Sequence, residues 1–217
     1  MEPAAKLMLD ANFGSVERWR EEFIACAKAP GGGSGCVLLV FQPHEGTLTH
    51  QWAVDPTHAG AAGVPILALD MNEQASDMDP GTAAGHVDAF ISRIDWAAVY
   101  GRYQQAVYAA SDAFGAGPEE VGGALVLDVR RAGVFEQAFK MIPGARWCDP
   151  ATVAAWSAEM PADRELVVYC VYGHEVSRAT AMRLRAAGFN ARYLRGGIDG
   201  WQAAGRPLVD KPGPVAP

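Results

Sequence analysis

The 217 residues predict two unlike domains: an α+β unit of helices with a small antiparallel sheet, then an α/β unit with a parallel sheet flanked by helices. Three observations lead there. Charge is uneven: residues 1–110 hold 6 Lys and Arg against 13 Asp and Glu, while residues 111–217 hold 12 against 12. A glycine- and proline-rich stretch, Ala113–Gly123, stands between the halves. Across it the rhythm changes from helix, strands, helices to short strands alternating with helices. The expected limits are a first domain over 1–110, a linker over 111–123, a second domain over 124–211 and a loose tail over 212–217.

Element by element, Ser15 is the N-cap of a first helix, with Glu17 in its first turn and Val16, Trp19, Phe23, Ile24 and Ala27 at helical spacing. Pro30 and Gly31–Gly33 end it. Cys36–Phe41 reads as a buried strand and His44-Glu45-Gly46 as a turn. Thr47–Val54 reads as an alternating strand with Leu48, His50, Trp52 and Val54 on one face. Pro65–Asp70 is a third strand. Val87–Ile94 and Trp96–Ala110 are helices, the second capped by Asp95 and carrying Trp96, Val99, Tyr100, Tyr103 and Val107 on one stripe. Beyond the linker, Ala124–Val129, Leu166–Cys170 and Ala191–Leu194 are strands. Asp149-Pro150 opens a helix toward Met160, and Ser177–Ala187 is a helix closed by Gly188. Such alternation requires parallel pairing.

Composition removes several function classes. Half the residues are hydrophobic, which suits packed cores and excludes general disorder. A net charge of −7, held in the first half, argues against nucleic acid. Met1–Asp10 has no basic stretch followed by an apolar run, so no signal peptide is expected, and no apolar run reaches membrane-spanning length. Four irregularly spaced cysteines do not make a disulfide framework. The expected setting is a reducing cytoplasm.

Chemistry in a parallel sheet gathers at the carboxyl ends of strands, and Cys170 ends one. The segment Cys170-Val171-Tyr172-Gly173-His174-Glu175-Val176-Ser177 then leads into a helix. If the loop curls round the sulfur, its amide hydrogens and the positive helix end favour the thiolate. The same cradle suits a persulfide or an anionic donor. Gly173 permits the tight turn, and Arg178 and Arg183 add positive potential if they face the mouth. His174 and Glu175 are the loop side chains able to move protons, or equally solvated residues. A cysteine closing an apolar strand also fits a buried, inert residue, and that is how Cys26, Cys36 and Cys148 read.

Residues from about Pro118 to Val209 resemble a single rhodanese domain. The carriers are Leu127-Asp128-Val129-Arg130, Ile142-Pro143-Gly144-Ala145, Val167-Val168-Tyr169-Cys170 and Leu194-Arg195-Gly196-Gly197-Ile198-Asp199-Gly200-Trp201. The resemblance implies a sulfurtransferase in which Cys170 takes sulfane sulfur from a small donor and passes it to a thiol or cyanide. It places the substrate loop at Val171, Tyr172, Gly173, His174, Glu175, Val176, Ser177 and Arg178, needs no cofactor, and gives Asp128 and Arg130 a structural role. Two departures stand out. Lys140-Met141 replace the family's frequent Gly-His, and the span from Cys170 to Gly188-Phe189 is about one residue longer than usual. The longer span approaches related phosphatases and arsenate reductases, but these place an Arg six residues after the Cys, where Val176 stands. A non-catalytic module that binds an oxyanion or a partner is the other alternative.

Residues from about Phe13 to Val107 look like the C-terminal domain of iron/manganese superoxide dismutases. The carriers are Phe13-Gly14-Ser15, Gly33-Ser34-Gly35, Pro65–Asp70, Val87-Asp88-Ala89-Phe90 and Asp95-Trp96. That family binds metal through three His and one Asp, two of them in an Asp-x-Trp-Glu-His run. Here the run is Asp70-Met71-Asn72-Glu73-Gln74, with Gln74 in place of the His, and the N-terminal helical domain bearing the other ligands has no counterpart in these 217 residues. A lone carboxylate cannot hold a redox metal, and His44, His50, His58 and His86 are scattered. No metal site is expected. The resemblance implies a dimerisation or partner-binding scaffold, with Glu73 a candidate interface group.

Overall fold

A computed structural model describes residues 1–28, 35–54, 63–71 and 80–212, with only the backbone of residues 80–84 and 86. The chain divides into two compact units, Met1–Pro43 with Thr47–Ala106, and His44–Gly46 with Val107–Pro217. No described helix is long and apolar enough to cross a membrane.

The first unit is helical with a three-stranded antiparallel sheet. Its elements are α1 (Pro3–Phe13), α2 (Val16–Lys28), β1 (Cys36–Gln42), β2 (Thr47–Ala53), β3 (Val64–Asp70), α3 (Pro80–Ser92) and α4 (Trp96–Ser111). Helix α1 has no counterpart among the expected elements, although Ala5, Met8, Leu9 and Phe13 bury one stripe of it. Ser15 caps α2 as expected, its Oγ accepting from Arg18 N at 3.0 Å, and Asp95 caps α4 by accepting from Ala98 N at 3.1 Å. Helix α3 starts seven residues before Val87. The residues expected to end α2, together with Glu73 and Gln74, lie outside the described residues.

Strand β1 is central and buried almost throughout, which is why it reads as a continuous apolar run. Its register with β3 passes from Leu39↔Leu67 to Val40↔Pro65, skipping Ile66. Pro65 cannot donate to a ladder, and it sits on an edge strand where that loss is tolerated. On β2, Leu48 and His50 turn inward, but Val54 falls beyond the strand and is 76% exposed rather than sharing their face.

His50 lies among the rings of Phe13, Phe23 and Trp19, at 4.8, 5.6 and 6.3 Å between centroids. Burial drives its pKa down to about 4, while Glu22, 3.7 Å from Nδ1, acts in the other direction. Of the dismutase-type ligand run, Asp70 ends β3 and is exposed. No group of three or more His, Cys, Asp or Glu converges among the described residues, so the donor set in view does not fit a redox metal.

The second unit contains the last turn of α4, β4 (Gly115–Ala116), β5 (Leu125–Asp128), α5 (Ala132–Gln137), β6 (Lys140–Met141), β7 (Arg146–Trp147), α6 (Val153–Ser157), β8 (Leu166–Tyr169), α7 (Glu175–Ala186), β9 (Ala191–Leu194), α8 (Gly197–Ala203) and β10 (Val209–Asp210). Five strands form a parallel sheet in the order β4-β9-β8-β5-β7, and β6 and β10 pair antiparallel beside it. The stretch read as a linker is thus partly built into the domain: Gly115–Ala116 pairs with Tyr193 and Leu194 as an edge strand. Alternation along β8 sorts the core. Leu166 and Val168 join Trp156 and Leu184 on one face, while Val167 and Tyr169 join Ile198 and Trp201 on the other. Both faces are covered, and the carboxyl end of β8 opens onto the loop that follows.

Candidate active site around Cys170

Tyr169, the last residue of β8, anchors the site from below. Its hydroxyl donates to Asp128 Oδ2 at 2.8 Å, and Ile142 N donates back to it at 3.3 Å. Asp128 is wholly buried and is clamped by the Arg130 guanidinium, whose Nε lies 2.9 Å from Oδ1 and 3.0 Å from Oδ2. Arg130 Nη2 also reaches Lys140 O at 3.0 Å. Burial and the Asp128 carboxylate push the Tyr169 phenol far up, so it stays a donor. This network ties the ends of β5 and β8 and the start of β6 together at the residue that precedes Cys170.

The thiol is free and 6% exposed. Its Sγ lies 3.2 Å from Ser177 Oγ, which also sits 3.3 Å from His174 O. A hydroxyl has one proton, so Ser177 can donate to His174 O beside a thiol and turn that proton to the sulfur when the sulfur is anionic. Helix α7 begins at Glu175, two residues earlier than expected. Ser177 is therefore a first-turn residue, and the cap position is His174, which makes no side-chain capping bond. The first turn of this twelve-residue helix brings the Ser177 hydroxyl to the sulfur and has no side-chain cap on its amides.

Two loop carbonyls are held by α8. Cys170 O accepts from Ile198 N at 3.0 Å and Val171 O from Asp199 N at 3.1 Å, both in the first turn of α8. No peptide is cis, and in a planar trans peptide the N–H points opposite to its C=O. The N–H groups of Val171 and Tyr172 are accordingly turned away from α8. Gly173 has φ +71°, and a Cβ there would meet Leu194 O at 2.7 Å and Gly196 N at 2.8 Å. Gly197 is bound likewise, a Cβ meeting Val171 O at 2.4 Å and Cys170 O at 2.5 Å.

The remaining loop residues divide between floor and rim. Glu175 is 6% exposed and faces Arg131 Nη2 at 3.4 Å. Val176 is half-buried; Tyr172 and His174 are exposed, with ring centroids 5.5 Å apart. Arg178 does not stand free at the mouth. Its Nε donates to Gly173 O at 2.9 Å, its Nη1 to Ser111 Oγ at 3.2 Å, and Cζ lies 4.6 and 4.2 Å from the Tyr108 and Tyr193 rings. Arg183 lies in the last turn of α7. Tyr108, Ser111, Arg131 and the α8 amides are neighbours of the site that the sequence reading did not pick out. Beside the loop at Val171 opens a groove of about 630 Å³, also lined by Val134, Phe139, Ile198 and Asp199. Elsewhere, burial pushes the Cys26 and Cys148 thiols up, away from reactivity at neutral pH.

Residues 113–204 match the rhodanese-like domain family, and residues 2–102 match the family of iron/manganese superoxide dismutases, C-terminal domain. Among curated proteins, the iron superoxide dismutase of Cupriavidus metallidurans is 49% identical over 108 residues, covering 49% of this chain and 55% of that protein. Manganese superoxide dismutase 1 of Halobacterium salinarum is 43% identical over 110 residues, covering 48% and 53%. The chain spans about half the length of the curated relatives it matches. Among solved structures, a rhodanese-related protein from Thermoplasma volcanium is 24% identical over 44% of this chain and 96% of its own, with a TM-score of 0.40. A rhodanese-like domain protein from Staphylococcus aureus is 21% identical over 40% and 89%, with a TM-score of 0.36.

Proposed function

We propose that this chain, a superoxide dismutase C-terminal domain joined to a rhodanese-like domain, is a sulfurtransferase that works through a persulfide on Cys170. In the first half-reaction the Cys170 thiolate attacks the terminal sulfur of a donor X–S⁻. The new S–S bond forms as the X–S bond breaks, X leaves with the electron pair, and Cys170–S–S⁻ remains. In the second, an acceptor thiolate or cyanide attacks the outer sulfur and the Cys170 thiolate departs.

The observation that carries this reading is the position of Sγ, 3.2 Å from Ser177 Oγ in the uncapped first turn of α7. A hydroxyl that can donate and the positive end of a helix both stabilise negative charge on sulfur, and the carbonyls of Cys170 and Val171 are taken up by α8. No proton relay is required, because thiolate and persulfide exchange charge without one.

The non-catalytic reading, an anion- or partner-binding module, draws on the small exposure of Cys170. Mass spectrometry after exposure to sulfur donors separates the two. A gain of one sulfur atom in the native chain, absent in Cys170→Ser, is the expected result; no gain with any donor overturns the enzyme reading. The phosphatase reading is weaker, since Val176 offers no clamp for a phosphate. For the first unit we propose a scaffold role, through homodimerisation or a protein partner, in a reducing cytoplasm that suits four free thiols.

A further inference from the structure

We infer that the site takes sulfur from a carrier with a flat organic body and at most one negative charge, in preference to the compact dianion thiosulfate, and that Tyr108 sets this preference. The inference rests on the sulfur-transfer reading above. Tyr108 lies in the last turn of α4, five residues before the stretch that matches the rhodanese-like family. Its ring stands 6.1 Å from His174, which stands 5.5 Å from Tyr172. Three rings thus stand in series at the loop that follows Cys170, with Tyr172 56% exposed at the outer end. Such a rim offers planar contact area.

The charges near the mouth lead to the same conclusion. Between Cys170 and Ser177 there is no Lys or Arg. Of the guanidiniums around the loop, Arg131 is paired with Glu175 and Arg130 with Asp128, while Arg178 is held by neutral groups, Gly173 O, Ser111 Oγ and two tyrosine rings. The start of α7 can stabilise the one charge of a persulfide sulfur. A second charge on the donor finds Arg178, whose Nε and Nη1 are already given to Gly173 O and Ser111 Oγ and whose guanidinium lies against the Tyr108 and Tyr193 rings. Burial and Glu175 hold the Tyr108 phenol above its usual range, so it is a neutral hydroxyl at the rim. The groove beside Val171 gives a carrier body room to extend.

The test compares two donors that react by the same step, thiosulfate and benzenethiosulfonate. Each gives Cys170–S–S⁻, with sulfite or benzenesulfinate leaving with the electron pair, and neither needs an oxidant. Rates of persulfide formation on the full chain, each divided by that donor's rate with a small free thiol, give a donor ratio. The expected ratio favours benzenethiosulfonate by roughly tenfold or more, and drops about three- to tenfold in Tyr108→Ala and in the exposed Tyr172→Ala. Tyr108→Phe, which keeps the ring, retains the ratio. Equal or faster charging by thiosulfate overturns the inference while leaving sulfur transfer standing, as does a ratio that neither alanine variant moves. Failure of both donors to charge Cys170 overturns the sulfur-transfer reading itself and the inference with it.

Discussion

Asp128→Ala should unfold the second unit far more readily than its small size change suggests. Asp128 is 0% exposed and Arg130 5%, and the carboxylate accepts from the guanidinium, from Arg130 N at 3.1 Å and from the Tyr169 hydroxyl at 2.8 Å. Removing the acid leaves a guanidinium and a phenol buried with their main partner gone. Breaking one side of a buried pair costs about 3–5 kcal/mol, a large part of the roughly 5–15 kcal/mol by which domains are stable. For a unit of this size that is a fall in melting temperature of roughly 15 °C, or about 2 M in urea midpoint. Hydrogen exchange during urea unfolding, read on peptides spanning β5 and β8, isolates this unit from the first. Restoring neutrality by Asp128→Leu with Arg130→Met should recover most of the loss, because a matched apolar pair leaves no uncompensated charge. A shift of only a few degrees in Asp128→Ala, or a double variant as unstable as the single, would refute the account.

Three further outcomes follow from other parts of the chain. Ser177→Ala should slow persulfide formation about three- to tenfold at unchanged fold, since one hydrogen bond to the sulfur is lost; an unaltered single-turnover rate removes Ser177 from the mechanism. Gly173→Ala should cost at least about 2 kcal/mol, more than the roughly 1 kcal/mol expected for Gly144→Ala, where φ is also positive but no atom lies within 4 Å; equal urea midpoints for the two contradict this. For His50, the folded value of about 4 lies below the ordinary 6.5, so the unfolded chain binds the proton first. Stability of the first unit is therefore full above about pH 6.5 and falls by roughly 3 kcal/mol as pH drops toward 4. His50→Leu should flatten that slope; an identical slope in the variant assigns the acid sensitivity elsewhere.

What the sequence made legible was set by the range of the interaction. Strands β1, β5 and β8 are largely apolar runs with turn residues beside them, and their identity is local. Helix α1 carries a readable stripe in Ala5, Met8, Leu9 and Phe13, but Pro3 opens it without a side-chain cap, so its start has no polar marker. Strands β4, β6, β7 and β10 are two residues each, too short to have a period. The helix expected from Ser177 begins two residues earlier, at Glu175, and the Ser177 hydroxyl turns inward to a sulfur seven residues back. The strand–loop–helix pattern together with the resemblance to a rhodanese domain singles out Cys170. Its neighbour Tyr108 could not be singled out, since the residues it faces, His174 and Arg178, come from a loop and helix more than sixty positions downstream.

The hold of α8 on the loop has a further consequence for which sequences can keep this site. Asp199 is exposed, and what the loop takes from it is a main-chain hydrogen. Substitution there is free in size and charge, with one prohibition: proline, which has no hydrogen to give. Ile198 shares that prohibition and is confined as well to an apolar shape by its 7% exposure. Variation among descendants of this chain would therefore run wide at one position and narrow at the next, although neither side chain is required to meet the substrate.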